Sequence, residues 1–399
     1  MEMIDHKIKL KNYNLYLSLI YILWIISMIS YPLIDEYIKA GKLIEGVYYG
    51  TDSYTYINWT NDFLSGKDSI LRWKSKFGYI LFLVPFIYFD LHLVNIVLLQ
   101  LFLTAFSAWC LYKITSKFYC KLSGIICVAL FLLYYPLQMR NFYLLTEILF
   151  IDITIILAYL FVFFKKTYLP AIIFLIFALI SIRPNGIMFL FSIITCGFFF
   201  LLKHKKYLHF SLLLGTLSIL ILPTINLLNS YMIDLDLIEG ISDKGVIWGW
   251  SFERNQHCLT SCLGVELINN NYQNNILDIF KFIFVNFGEF LKIFFLKVFW
   301  LLLRARPYYS DLHNYYILFF NVIFYFGFIY GFLKRPKNNY AAQVILLYIL
   351  YAIGLVGLTF ADWSGRFSLY FLPLIMIFSS YGVLIFARST IQKVMSYKS

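Results

Sequence analysis

The chain has 399 residues, of which 61% are hydrophobic, 21% aromatic and 14% charged, with a net charge of +12. Soluble domains carry about 25% charged residues, and here apolar runs of spanning length recur from end to end, which excludes a soluble enzyme and predicts an all-α polytopic membrane protein. In such a protein a basic excess belongs to cytoplasmic loops and anionic headgroups; no basic stretch is long or soluble enough for nucleic-acid binding.

Lys7, Lys9 and Lys11 precede an apolar run from Tyr13 to Tyr31. The run is too long for a signal-peptide core and no small-x-small cleavage site follows, so it reads as a retained first span entering from the cytoplasm. Asp35 to Lys76 is polar and falls outside. Within it, Tyr48 to Gly66 reads YYGTDSYTYINWTNDFLSG, with Asp52 among tyrosines and a helix predicted over Ser53 to Leu64. Phe77 to Phe89 is apolar but short, a re-entrant or interfacial piece. Leu91 to Tyr112 crosses inward to Lys113, Lys117 and Lys121, and Leu122 to Pro136 crosses out. A short external loop holds Arg140 and Asn141. Glu147 opens the next span, which ends at Lys165 and Lys166. Tyr168 to Ile182 stops at Arg183-Pro184-Asn185-Gly186, and Ile187 to Leu202 returns to Lys203, His204, Lys205 and Lys206.

Leu208 to Tyr231 leads out into the largest polar region, Met232 to Asp278, which contains Trp248, Trp250, Glu253, Arg254 and His257. Cys258 and Cys262 lie there, where a disulfide and two free thiols are both open readings; the other four cysteines read as packing residues, and no cysteine pattern suits a metal. Over Lys281 to Leu303, the polar residues Lys281, Asn286, Glu289, Lys292 and Lys297 fall within half of a helical wheel at about 100° per residue. That pattern predicts an amphipathic helix lying on the outer leaflet. Tyr315 to Leu333 crosses in to Lys334, Arg335 and Lys337, Tyr340 to Phe360 goes out to Asp362-Trp363-Ser364-Gly365-Arg366, and Phe367 to Phe386 returns. Lysine clusters at alternate loops give about ten spans with both termini cytoplasmic, or up to about twelve if the two ambiguous segments cross. The whole of 1–399 reads as one integral membrane domain, with 35–76 and 232–303 outside the cytoplasm.

Under this topology the notable ionisable residues gather on the external side. Asp35, Glu36, Asp52 and Asp62 come from the first loop, Arg140 and Glu147 from the second, and Arg183 from the third. Glu253, Arg254 and His257, then Arg304 and Arg306, then Arg366, complete the set. Charged groups at membrane depth are costly and mark function by default. Carboxylates beside arginines suit a substrate with a hydroxyl to deprotonate and a phosphate to bind. Each residue alone has a plainer reading: Asp35 and Glu36 as solvated flanks, Asp52 and Glu147 as helix-start residues, Arg183 and Arg366 as snorkelling anchors.

Several short motifs recur in a fixed order. Asp52, Tyr56 and Gly66 mark the first external loop, Gly78-Tyr79 precedes an apolar stretch, and Pro136 ends a span. Thr146-Glu147-Ile148-Leu149-Phe150 begins the next, Arg183-Pro184 follows the fifth, and Arg366-Phe367 precedes the last. Over residues 13 to 387 this order resembles the glycosyltransferases of the GT-C superfamily. Within it, the chain is most similar to bacterial relatives of the dolichyl-phosphate-mannose protein mannosyltransferases and the lipid A aminoarabinose transferases. Three departures stand out. Asp35-Glu36 occupies the place where the family often carries its Asp-Glu pair, so Asp35 competes with Asp52 for the catalytic role. Phe367 replaces the usual tyrosine. The extended C-terminal soluble domain of oligosaccharyltransferases is missing, which argues against that branch.

The resemblance implies a GT-C-like helical bundle with its site at the extracytoplasmic face of a bacterial plasma membrane. It implies inverting transfer of a sugar from a polyprenyl-phosphate donor to a glycan, lipid or protein acceptor. Asp52 would take the acceptor's proton, and Glu147 would orient the acceptor or help hold a divalent cation, on which relatives differ. Arg183, Arg366 and Arg140 would face the phosphate, and Tyr56 would line the substrate site. Trp248 and Trp250 would stack on sugar or anchor at the interface. Two alternatives stand beside this: a surface-polysaccharide polymerase or ligase centred on the large loop, and a non-enzymatic carrier or flippase for lipid-linked sugars. The carrier calls for charge buried inside the spans, where Asp152 is the main instance.

Overall fold

The structure is a computed structural model that describes residues 13–38, 43–44, 47–48, 51–67, 76–205, 276–306, 309–336, 339–358 and 365–396. The Leu208–Tyr231 span lies outside them, as do Trp248, Trp250, Glu253, Arg254, His257, Cys258 and Cys262.

The described chain is almost wholly helical. In order it forms α1 (Tyr13–Ile38), a two-residue hairpin of β1 (Leu43–Ile44) and β2 (Val47–Tyr48), α2 (Thr51–Leu64), α3 (Phe77–Tyr88), α4 (Val94–Phe118) and α5 (Lys121–Leu132). A short turn α6 (Tyr135–Gln138) and a 3-10 turn (Met139–Phe142) lead to α7 (Thr146–Val162), α8 (Leu169–Ile182) and α9 (Ile187–Lys203). Then come α10 (Ile276–Val285), α11 (Phe287–Leu303) and α12 (Asp311–Asn321), which continues through a π turn (Val322–Phe326) into α13 (Gly327–Leu333). The last helices are α14 (Tyr340–Leu358) and α15 (Leu372–Ser396). Among the described residues six helices are long and apolar enough to cross a membrane, and α5 with the turns after it makes a seventh if that pair, bent by 61°, counts as one span. The protein is therefore an all-α polytopic membrane protein.

Three expectations about element boundaries are corrected. The first helix runs on through Asp35 and Glu36 to Ile38, so the first loop starts later than the charge pattern suggests. The segment around Arg140 and Asn141 is not an open loop: Leu137, Gln138 and Asn141 are fully buried in helical turns. The amphipathic helix over 281–303 is two helices meeting at Asn286, and Asn286 and Lys297 are buried while Lys281 and Lys292 face outward. The Asn286 amide donates to the Phe282 carbonyl at 3.0 Å, the kind of side-chain bond that interrupts a helical ladder.

Contacts divide the chain into two compact units. The first comprises residues 1–186, 322–342 and 369–399. In it α4 packs on α5 and α7, α1 on α5, α7 on α8, α2 on α3, α3 on α8, and α15 on α5 and α13. Lipid tails are as apolar as leucine, so such helices associate through close backbone approach at small residues. Gly327 and Gly331, one turn apart on α13, lie against Ser379 and Phe378 of α15, and Gly382 of α15 lies against Gly327. A side chain at any of the three would overlap a backbone carbonyl. Ser379 locks the contact by donating to the Phe324 carbonyl at 2.6 Å.

The second unit comprises residues 187–321 and 343–368. Phe189 of α9 packs on Tyr348 of α14 with ring centres 5.3 Å apart, and the hydroxyls of Thr195 and Tyr351 share a hydrogen bond of 2.9 Å. Arg304 turns the chain after α11 in the left-handed conformation, φ 61°. Arg306 reaches back to donate to the carbonyls of Trp300 and Ala305 at 2.9 and 3.0 Å, a cation on the negative end of a helix.

Candidate functional site

The site is assembled in the first unit from three separated stretches. The first is α2. Asp52 lies in its first turn, where a carboxylate suits the helix dipole. Gly66, at φ +69°, ends the stretch in the left-handed region that glycine enters without cost. Ser53, Tyr56 and Thr60 are buried, and their spacing of three and four residues places them on one face. Asp52 lies one turn before Tyr56 at the edge of that face and is half-buried. Tyr56 meets Trp59 of the same helix and Tyr79 of α3 edge-on, at 5.8 and 5.1 Å between ring centres.

The second stretch is the crossing of α3 with the end of α8. A Cβ at Gly78 would stand 2.8 to 2.9 Å from Ser181 and the Ile182 backbone, so only glycine lets the helices meet there. That contact seats α3, with Tyr79, against the end of α8, which Arg183 follows. Arg183 leaves the helix in an extended conformation, as a residue before proline must. The turn then closes on Gly186, whose Cβ would stand 2.6 Å from the Leu179 carbonyl. The third stretch is the start of α7, where Thr146 and Glu147 are 0% and 1% exposed.

These stretches meet in an ion pair. The Arg183 Nη1 lies 3.0 Å from Glu147 Oε1 and donates to Thr146 Oγ1 at 2.9 Å. The guanidinium also lies 4.8 Å over the ring of Tyr370, which itself packs edge-on against Phe150 at 5.1 Å. Burial works against the Arg183 charge, but Tyr370 and Glu147 beside it outweigh that and hold it protonated more firmly than a solvated arginine. Burial pushes the Tyr56 hydroxyl up to about 12, and the carboxylates of Glu147 and Asp52 reinforce the shift while Arg183 and Thr146 oppose it. Tyr56 is thus a proton donor throughout the physiological range. The Tyr79 hydroxyl is fully buried and has no hydrogen-bond partner among the described residues.

The arrangement has a definite chemical character. A buried carboxylate and guanidinium neutralise one another, tyrosine hydroxyls surround them, and a half-buried carboxylate stands at the edge. Such a set orients hydroxylated groups and offers one oxygen base, Asp52. Of the residues singled out from the sequence, Asp52, Tyr56, Glu147 and Arg183 come together. Arg140 does not join them: among the described residues its side chain lies over the Tyr143 ring, 5.9 Å from its centre. Tyr143 in turn stacks on Tyr48 of β2 at 5.2 Å, which ties the first loop to the turns after α5. Arg366 belongs to the second unit, where it lies 5.6 Å over the Phe367 ring.

Tyr370 is the member that sequence reasoning passed over. Its signal was available, since a tyrosine follows the Arg366-Phe367 pair by three residues, but nothing in the local pattern joins it to Arg183. Glu147 and Thr146 were visible as an acidic helix start, and Tyr79 as half of a Gly-Tyr pair. Among the described residues no three His, Cys, Asp or Glu side chains are grouped as a metal ion would need. Neither the protein-family models nor the curated proteins compared with this chain match it.

Proposed function

We propose that the protein is a glycosyltransferase that moves a sugar from a polyprenyl-phosphate donor to a glycan, lipid or protein acceptor at the extracytoplasmic face of a bacterial plasma membrane. The observation that carries this reading is the convergence of Asp52, Tyr56, Glu147 and Arg183 from three separated stretches in the motif order of the GT-C resemblance. In this reading Asp52 takes the proton of the acceptor hydroxyl as it attacks the anomeric carbon, and the polyprenyl phosphate leaves with inversion. The donor's charged leaving group needs cationic stabilisation. Arg183 is the cation the site brings, and Glu147 neutralises it only in part. Glu147 fixes Arg183, and the tyrosines donate to sugar hydroxyls; with its carboxylate committed to the guanidinium, Glu147 does not suit a divalent cation.

A surface-polysaccharide ligase and a lipid-linked-sugar carrier remain the competing activities, the second favoured by the buried Asp152. One experiment separates the three. Purified protein in proteoliposomes is given polyprenyl-phosphate sugars labelled in the sugar, with a panel of acceptors. Transfer of single sugars supports the proposal. Transfer of a whole glycan identifies a ligase, and movement across the bilayer with no covalent product identifies a carrier.

A further inference from the structure

Asp152 sits in the middle of α7, fully buried, and takes no part in the proposed transfer. It ends a chain of hydrogen bonds whose direction can be worked out donor by donor. The chain starts at Trp24 of α1, whose indole nitrogen donates to Gln138 Oε1 at 2.8 Å. An indole N–H can only donate, so this atom of Gln138 must be the oxygen. The Gln138 amide nitrogen then donates to the Phe131 carbonyl at 2.8 Å. Asn141 approaches two acceptors of the same glutamine, its backbone carbonyl at 3.1 Å and Oε1 at 3.4 Å, so the Asn141 amide nitrogen must point there. That leaves Asn141 Oδ1 facing Thr104 Oγ1 at 2.9 Å. Oδ1 only accepts, and a hydroxyl has one proton, so Thr104 gives its proton to Asn141.

Thr104 Oγ1 also lies 3.1 Å from Asp152 Oδ2. With its proton committed, the hydroxyl can only accept there. We infer that Asp152 is a proton-binding site in the buried helical core, held as a neutral carboxylic acid that donates to Thr104.

The surroundings agree. From α4 the Ser107 hydroxyl lies 3.5 Å from the Asp152 backbone carbonyl and within hydrogen-bonding reach of its carboxyl group, and the Cys110 thiol is nearby. Lys113 of the same helix lies over the Trp109 ring, and Lys117 donates to the Val162 carbonyl. On α1 the Tyr21 hydroxyl donates to the Ala105 carbonyl. On α7 itself Glu147 is held by Arg183. From the turns after α5 Arg140 lies over Tyr143, α8 has no ionisable side chain, and on α15 Tyr381 stacks on Tyr119 at 4.3 Å. Among these described residues none brings a cation to Asp152. An ionised carboxylate without a cation in such a site costs far more than a neutral one.

The direction of the chain is held by groups that cannot reverse. The backbone carbonyls of Gln138 and Phe131 only accept, so they fix the Asn141 and Gln138 amides whatever α1 does, and Thr104 keeps its proton on Asn141.

The test is infrared difference spectroscopy of the full chain in liposomes, with aspartate carrying ¹³C in the side-chain carboxyl. The expected result at neutral pH is an isotope-shifted carboxylic-acid carbonyl band that disappears in Asp152→Asn, whose amide keeps the donation to Thr104. In Thr104→Val the band moves to higher frequency because the acceptor is gone. Should Asp152→Asn fail to fold, the Thr104→Val shift identifies the band on its own. Three outcomes overturn the inference: a carboxylate band in its place at neutral pH, a band indifferent to Thr104→Val, or a band abolished by sodium, which would make this a metal-cation site.

Discussion

The Glu147–Arg183 pair offers the sharpest test of the site. Glu147→Gln removes the negative charge and leaves the shape. The side chains are 2% and 10% exposed, so the Arg183 charge would then sit out of water beside a neutral amide. At 3.0 Å the gross attraction is about 5–6 kcal/mol with an effective dielectric of about 20. Breaking a buried pair by removing one partner typically costs about 3–5 kcal/mol, because the desolvated charge stays behind. The expected loss of stability for Glu147→Gln is therefore about 3 kcal/mol or more, over a hundredfold in the unfolding equilibrium. The double variant Glu147→Gln/Arg183→Met removes both charges and keeps much of the packing on Tyr370, so it should recover most of that loss. The assay is denaturant titration of the detergent-solubilised protein, followed by tryptophan fluorescence, over the full double-mutant cycle. An unchanged midpoint in Glu147→Gln, or a double variant as unstable as the sum of the singles, would refute the reasoning. A stable double variant without sugar transfer would show that the pair serves the reaction and not only the fold.

Other outcomes follow from the same geometry. Asp52→Asn should express normally and lower turnover by about 10²–10⁴-fold, the worth of a positioned proton acceptor. Asp35→Asn should do much less, and the reverse pattern would move the site to the end of α1. Tyr56 is raised from its ordinary 10.0 to about 12, so its buried neutral form stabilises the fold below pH 10 and that contribution is lost between pH 10 and about 12. Comparing the alkaline unfolding of the wild type with that of Tyr56→Phe should show the difference confined to that window. In a cysteine-accessibility experiment, position 242 should be labelled from outside intact cells and position 399 should not; labelling of 399 alone ends the proposed orientation.

The helices were legible from the sequence wherever one property governed a whole segment. The apolar run after Lys11 becomes α1, the polar-aromatic stretch ending at Gly66 becomes α2, and Arg183-Pro184 stops α8 where the proline demands it. The reading failed where a polar residue turned out to be buried. Arg140 and Asn141 look like a loop because both are polar, yet Asn141 is the hub of a buried network with Gln138 and Thr104. Lys297 completes a polar half-wheel on paper and is buried in fact. Residue type records the cost of burial, not the partners that offset it.

The sequence by itself determined that this is a membrane protein of many helices, because spanning needs long apolar runs and each run declares itself locally. It also supplied the candidates Asp52, Tyr56, Glu147 and Arg183, because charge and aromatic hydroxyls are conspicuous against so apolar a background. Only the tertiary structure decided which of them meet. Gly78 lets α3 cross the end of α8 closely, and the fold delivers Tyr370 from the far end of the chain to the Arg183 guanidinium. Distances across 36 residues between Glu147 and Arg183, or 114 between Trp24 and Gln138, are set by how helices pack. No local rule of periodicity or spacing carries that information.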